Sequence, residues 1–216
     1  MLTESSEIPF SVSRERRDAT VVIRGYVYQV NTTLLKWIGL TPGESLELEA
    51  GEDIDAVQQA IAEGDQIEIT RLLQAVKHRE RNLTLRSPEA LAALATFQEH
   101  RHSNPSLKLA FRYITNSSIG AEKPPVTVTG TPGIHLWENV RGNAITAKQR
   151  NKLVSAIRTF LVNSACPSDL AAETWNSFIK FLKRSTILDF NRFIDLFEWS
   201  TNQVSHDDLE AKLNTN

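Results

Sequence analysis

Apolar residues recur every three to four positions near the start of the chain. This spacing is typical of one face of an amphipathic helix and predicts a helix over residues 24–39, with Gly39 at its C-terminal end. Residues 1–20 carry few apolar side chains, so we expect them to form an N-terminal arm. The apolar positions of the predicted helix are Val27, Val30, Leu34 and Ile38.

Alternation of polar and apolar residues follows, as in strands that bury one face. A helix interrupts this pattern, because Ser87 and Pro88 form a helix start and apolar spacing continues from there to about residue 102. Residues 58–68 follow neither period clearly, and their state stays open. The predicted strands are 45–49, 52–57, 72–77 and 107–113.

Strand signals stop beyond residue 143, where helical spacing takes over. Ser205 opens a capping box that predicts one more helix near the C-terminus. The pattern as a whole favours an α/β unit to about residue 115, a connecting stretch and a helical tail. The apolar positions of the tail are Leu153, Val154, Ile157, Phe160 and Leu161, then Trp175, Phe178 and Leu182, then Phe190, Phe193, Ile194 and Phe197.

Composition is that of an ordinary globular protein, with 216 residues, 41% of them hydrophobic, and a formal charge of -2. No apolar run approaches the roughly 18 to 20 residues that span a bilayer, and the first 20 residues do not resemble an export signal. We therefore expect a cytoplasmic protein without a membrane partner. Cys166 is the single cysteine, which excludes an intramolecular disulfide and a multi-cysteine metal site.

In the first half of the chain an acidic segment is followed directly by a basic one. Residues 41–68 contain nine acidic residues and no lysine or arginine, whereas residues 71–86 contain five lysines or arginines and His78 against the single acid Glu80. Two interpretations stay open. The segments could form a surface ladder of salt bridges, or a metal site facing a phosphate backbone.

Three short segments carry polar or charged residues at a spacing that could bring them together in one site. Gly25–Gln29 opens the first helix, Glu52–Asp55 enters a strand, and Ala75–Lys77 lies on the next strand. Side chains two residues apart in a strand share a face, so positions 75 and 77 lie on a face that Asp55 could reach from its own strand. Each residue also has a plainer interpretation, because Asp55 could cap a turn, Lys77 could be a solvated lysine and Gln29 an exposed helix residue.

These motifs, in this order over about residues 20–115, resemble the PD-(D/E)xK restriction-endonuclease-like nucleases. The similar variants carry Gln-x-Lys and are N-terminal effectors of bacterial antiphage systems, both cyclic-oligonucleotide-signalled and STAND ATPase-linked. The resemblance implies a restriction-endonuclease-like mixed sheet flanked by helices over residues 21–140, and a helical extension or linker at 141–216. It also implies a metal-dependent domain that degrades double-stranded DNA, acts as a homo-oligomer and is often followed by a larger sensor or ATPase region.

The resemblance further implies a role for each matching residue. Asp55 and the side chain at position 75 would hold Mg²⁺, for which Mn²⁺ can substitute; Lys77 would stabilise charge on the phosphate, and Gln29 would hold a water or a ligand. Arg79, Arg81 and Arg86 would neutralise DNA phosphates. Glu52, Asp53 and Gln74 are secondary candidates.

One position departs from the family pattern. Where the family has Glu, Asp or Gln two residues before the lysine, this chain has Ala75, and Gln74 would lie on the opposite face unless a bulge re-aims it. Either the centre works with fewer ligands, or this copy is inactivated, whether naturally or by an engineered substitution; we favour inactivation. The main alternative is a non-catalytic DNA-binding or oligomerisation module that keeps the fold. A small helical adaptor would explain the tail but not the order of charges.

Overall fold

The computed structural model describes residues 14–48, 52–61, 67–142 and 145–203. Within this part of the chain there are six helices and five strands. The N-terminal half contains α1 (Arg14–Ile38), β1 (Glu44–Leu48), β2 (Ile54–Ile61), β3 (Ile67–Lys77), α2 (Pro88–Ser103) and β4 (Lys108–Thr115). The C-terminal half contains α3 (Gly133–Arg141), α4 (Ala147–Val162), α5 (Ala172–Arg184), α6 (Ile187–Asp195) and β5 (Phe197–Ser200).

The five strands form one mixed sheet in the order β1-β2-β3-β4-β5. The first three strands are an antiparallel meander, with Asp55 opposite Leu73. α2 then returns the chain so that β4 runs parallel to β3, and β5 runs parallel to β4. The predicted α/β mixed sheet flanked by helices, with a helical C-terminal region, is confirmed.

The two faces of the sheet are covered unequally. α1 packs on one face through Tyr28, which joins Ile54, Val76 and Ile114 in a small core. The other face carries the main core, which includes Leu73, Phe111, α2 and the C-terminal helices. Because side chains alternate along a strand, neighbouring residues of β3 belong to different cores.

The C-terminal helices belong to the same core as the sheet. Phe197 and Trp199 on β5 are buried against Phe111 and Tyr113, with ring centroids 4.8 Å apart for Phe111 and Phe197. Trp137 on α3 donates its indole N–H to the Phe197 carbonyl at 3.0 Å. The division predicted at residue 140 therefore does not mark an edge of the hydrophobic core.

Several predicted boundaries need correction. α1 begins ten residues before the predicted start at residue 24, and most of the open segment 58–68 is strand, in β2 and β3. Strand structure does not stop at residue 143, because Phe197 starts β5 instead of continuing a helix. Its burial between aromatic rings from both halves of the chain is a tertiary effect that local spacing does not record. The helix expected after Ser205 lies outside the described residues.

No helix in the described part of the chain is both long and apolar enough to cross a membrane.

Candidate functional site

Asp53, Asp55, Ala75 and Lys77 lie on neighbouring segments of the sheet, near the end where β2 begins and β3 ends. These two strands are antiparallel neighbours, so the start of one lies beside the end of the other. Asp55 is opposite Leu73, and Leu73, Ala75 and Lys77 alternate onto one face of β3. Asp55, Ala75 and Lys77 therefore share the sheet face that is also covered by α2.

Lys77 is held by Asp53, which precedes β2. The Lys77 ammonium donates to Asp53 Oδ2 at 3.0 Å, and the Val76 backbone N–H donates to the same oxygen at 2.7 Å. The Asp53 side chain is 19% exposed and that of Lys77 is 44% exposed, so the pair lies at the surface. Asp53, a secondary candidate by sequence, is thus the carboxylate next to the lysine.

Asp55 is the buried partner of a different cation. Its side chain is fully enclosed, and Arg71 donates to Oδ2 at 2.7 Å while also contacting Glu47 at 3.0 Å. The other oxygen, Oδ1, is buried without a hydrogen-bond partner among the described residues. Burial raises the pKa of Asp55 above its ordinary value of 3.8. The positive charge of Arg71 lowers the pKa, but by less than burial raises it.

Position 75 offers no side-chain ligand. Ala75 is buried on the site face, and Gln74 lies on the opposite face, where it is 1% exposed and its Oε1 has no partner among the described residues. The register between β3 and β4 runs without interruption from Thr70 to Lys77. No bulge therefore re-aims Gln74 toward Lys77.

Glu52 and Gln29 lie at the margins of this arrangement. Glu52 Oε1 is 3.7 Å from His100 Nε2 on α2, a contact that is an ion pair when the histidine is protonated. Gln29 is on α1, which packs on the face of the sheet away from Ala75. Among the described hydrogen bonds, none joins the Gln29 side chain to Asp53, Asp55 or Lys77. The structure thus does not bring Gln29 to the lysine.

The three candidate DNA-binding arginines do not form one exposed cluster. The Arg79 side chain is 12% exposed and forms an ion pair of 2.6 Å with Glu89 in the first turn of α2. The Arg86 guanidinium lies 4.6 Å above the Phe160 ring. Arg81 is the exposed member of the three, and its side chain is therefore the most accessible from solvent.

Tyr113 and Glu89 are part of the site and were missed by the sequence interpretation. The Tyr113 hydroxyl is buried at the end of β4, and burial raises its pKa to about 12, with the charges of Arg79, Glu89 and Asp53 acting on it more weakly. The signal for Tyr113 was its place opposite Ala75 on a parallel neighbour. That register depends on the crossover through α2, which residue spacing does not fix.

The segment after β3 is tied to the segment after β4. Leu83 donates to the Ser118 carbonyl and accepts from Gly120, both at 2.8 Å, while Ser117 Oγ donates to the Arg81 carbonyl at 2.6 Å. Asn116 also bridges the backbone N–H and carbonyl of Arg79. These bonds fix the chain that carries Arg79 and Arg81 beside Lys77.

The side chains at this end of the sheet do not fit a resident Mg²⁺ ion. Mg²⁺ prefers carboxylate oxygens and a regular octahedral shell, but Asp53 is engaged by Lys77, Asp55 is enclosed beside Arg71, and position 75 supplies only a methyl group. Across the described ranges, no group of three or more His, Cys, Asp or Glu side chains is placed to hold a metal ion.

Comparison of the chain with protein-family models, with curated proteins and with solved structures finds no match.

Proposed function

We propose that this chain is a duplex-DNA-binding domain of the metal-dependent endonuclease type, in a form whose centre lacks the ligand at position 75 and therefore does not cut. The observation that carries the proposal is the Lys77–Asp53 pair, which lies at that end of the sheet on the face that also holds buried Ala75. Effector activity in antiphage defence, as the resemblance implies, would belong to a copy with an intact centre.

The fold supports this proposal. A mixed sheet flanked by helices is what the resemblance to PD-(D/E)xK nucleases implies. Asp55 and residues 75–77 fall on the neighbouring strands β2 and β3 of that sheet, and Asp53 directly precedes β2. Lys77 lies on β3, and the Val76 backbone N–H donates to the same Asp53 oxygen that Lys77 contacts, so β3 itself holds this carboxylate beside the lysine.

Lys77 and Arg81 supply the phosphate-binding chemistry in this proposal. The Lys77 ammonium is partly exposed while Asp53 restricts its position, and Arg81 projects from the adjoining segment whose backbone is fixed by Ser117. A point charge beside a guanidinium suits two oxygens of a phosphodiester backbone. Such contacts do not read bases, so binding should be independent of sequence.

Plasmid cleavage tests the proposal. With Mg²⁺ or Mn²⁺, we expect the natural chain to leave supercoiled plasmid intact, the Ala75→Glu variant to nick and linearise it, and the Ala75→Gln variant to do so more slowly. Adding Lys77→Ala to Ala75→Glu should abolish cleavage again. Ala110→Glu, on the neighbouring strand β4, is the matched control and should not cleave. Cleavage by the natural chain at the rate of Ala75→Glu would show that position 75 is not the missing ligand.

The second candidate is a binding module that keeps the fold but that a ligand at position 75 does not restore to cleavage, and one observation favours it. The charged side chains of the site pair with one another, as Asp55 with Arg71, Asp53 with Lys77 and Arg79 with Glu89. Such pairing suits a surface that binds DNA and has lost the chemistry. If Ala75→Glu folds, binds DNA and still fails to cleave, this candidate is the better description.

Both candidate functions predict DNA binding that is weak and strongly salt-dependent. Fluorescence anisotropy with a short duplex should show affinity falling steeply between about 50 and 200 mM salt. Arg81→Ala should weaken binding and reduce the slope of log K against log salt by about 1. Arg184→Ala, at an exposed arginine on α5, is the control and should change neither. Binding that is insensitive to salt would contradict a phosphate-dominated interface.

A further inference from the structure

α1 has an apolar stripe on the side that faces away from the sheet. Its inward side is marked by the buried residues Tyr28 and Thr32. Successive helix residues are rotated by about 100°, so five apolar residues lie together on the opposite side. These five residues, hereafter the α1 stripe, are Ile23, Tyr26, Val30, Leu34 and Trp37.

The α1 stripe is unusually exposed for its composition. Ile23, Tyr26 and Trp37 leave 62%, 64% and 66% of their surfaces uncovered, and Val22 and Ile38 at its edges are also exposed. From residue 25 to residue 35 the helix carries no charged residue at all. A solvent-facing helix surface normally carries charges, and a contiguous apolar one marks an interaction site.

We propose that two copies of this chain pair through the α1 stripe, in antiparallel orientation about a two-fold axis near Val30. The spacing of the five residues along the helix indicates that the partner is a second copy of the same helix. The five residues are separated by three, four, four and three positions, which is the same pattern in both directions along the helix. An antiparallel copy therefore places Ile23 opposite Trp37, Tyr26 opposite Leu34, and Val30 opposite itself.

This pairing combines large with smaller side chains and satisfies the requirements of helix packing. Apolar residues three and four apart form the seam along which two helices interlock. Antiparallel neighbours also bring opposite ends of their helix dipoles together. A two-fold interface uses the same patch on both copies, as a self-complementary stripe requires.

The surface available is large enough for a stable dimer. A tyrosine or tryptophan encloses about 150–250 Å² when fully buried, and about two-thirds of that area is still uncovered on Tyr26 and Trp37. With the aliphatic residues of the stripe and its edges, two copies would bury about 1,200–1,500 Å² in total, which is the size of a standard protein interface.

The proposed dimer leaves the candidate site open. α1 lies on the sheet face of Tyr28 and Val76, whereas Ala75 and Lys77 belong to the opposite face. No residue of the α1 stripe is a candidate for DNA binding or catalysis. Dimerisation and DNA binding can therefore fail independently, and a variant in one region tests only that region.

Sedimentation equilibrium of the chain tests the proposal. The natural chain should be a dimer at micromolar concentration, and Trp37→Glu or Ile23→Glu should weaken the dimer by at least about 100-fold, because each copy would bury an unpaired charge. Leu188→Glu replaces a similarly exposed leucine on α6 and is the matched control. It should leave the dimer unchanged. Circular dichroism checks that each variant keeps its helices.

Disulfide formation tests the position of the two-fold axis. In a Cys166→Ser background, Val30→Cys should form a disulfide-linked dimer under mild oxidation, whereas Leu188→Cys in the same background should stay monomeric. A natural chain that is monomeric at about 100 µM overturns the proposal. A dimer that Trp37→Glu and Ile23→Glu leave at full affinity, or that fails to cross-link at position 30, also overturns it.

Discussion

Two aspartates only two residues apart have different environments in this protein. Asp53 lies at the surface and holds Lys77, whereas Asp55 is fully enclosed and shares Arg71 with Glu47. The difference follows from the start of β2 at Ile54. Asp53 precedes the strand and stays near water, whereas Asp55 is the second residue of the strand and is covered on the face of the main core. Asp53 is therefore the more accessible of the two carboxylates to a cation from solvent.

The buried state of Asp55 predicts a change in stability with pH. Since its pKa is raised by burial, the folded chain holds this proton more tightly than the unfolded chain does. The contribution of Asp55 to the free energy of unfolding is therefore largest below its ordinary value of 3.8 and is lost as pH rises through the folded-state pKa. A side-chain amide cannot ionise, so the substitution Asp55→Asn should remove this part of the pH dependence.

Urea denaturation between about pH 3 and pH 7 measures this effect. The free energy of unfolding of the natural chain, minus that of Asp55→Asn, should decrease as pH rises through that window. A difference that is constant or that increases with pH would contradict a pKa of Asp55 raised by burial in the folded chain.

Sequence spacing was enough to predict part of this site. The i, i+2 rule placed positions 75 and 77 on one face, and motif order brought Asp55 to the neighbouring strand. Sequence spacing could not show that Arg71 forms an ion pair with Asp55, because that contact depends on the register in which Asp55 opposes Leu73. Nor could it show that Arg79 is engaged by Glu89, which lies on a helix reached only through the crossover.

At the scale of elements, α3 begins at Gly133 in a tightly packed position. Buried Glu122 accepts from the Leu85 N–H at 2.7 Å and from the Gly133 N–H at 2.8 Å, and thereby joins the segment after β3 to the start of α3. A β-carbon at Gly133 would meet Glu122 Oε1, Leu85 Cβ and Val126 Cγ2 at 2.9 Å each. This position requires glycine for space.

A pair of glycine substitutions tests that packing. Gly133→Ala should lower the free energy of unfolding by about 1–3 kcal/mol, because three neighbours must move. Gly25→Ala is the contrasting variant, since nothing lies within 4 Å of its β-carbon position in the middle of α1. It should raise the free energy of unfolding by about 0.5–1 kcal/mol through helix propensity. Thermal or urea unfolding that shows the same sign for both would contradict the packing around Gly133.

Elements were predictable where burial follows a local period and not where it follows from distant partners. α2 matches its predicted range because the Ser87-Pro88 start and its apolar spacing are local signals. α3 was missed because residues 129–133 have turn composition, and its helix is stabilised by Trp137 inserted among aromatic rings from α6 and β5. β5 has four residues and is defined by pairing with β4.

At the scale of the whole molecule, the sheet and the C-terminal helices share one hydrophobic core. Phe178, Phe190, Phe193 and Phe197 are fully buried and complete the core that begins at Leu73. A chain that ends at residue 140 would expose the surface that these residues cover. We therefore expect it to lack a cooperative unfolding transition, whereas the full chain should unfold in one step.

Urea unfolding followed by circular dichroism distinguishes these outcomes. The contrary outcome is that the chain that ends at residue 140 unfolds cooperatively, with the dependence of its free energy of unfolding on urea concentration expected for a domain of its length. That result would show that the C-terminal helices are an independent addition. The separate helical tail that local spacing predicted would then describe the molecule better than a shared core does.

We propose that this site is one carboxylate short of a metal centre, at position 75, and calorimetric titration with Mn²⁺ is the most direct test. We expect the natural chain to show no site of measurable affinity, Ala75→Glu to bind one Mn²⁺ per chain, and Ala75→Glu combined with Asp53→Asn to lose that site. Ala110→Glu should behave like the natural chain. Equal Mn²⁺ binding by the natural chain and Ala75→Glu, or no binding by either, would contradict the account.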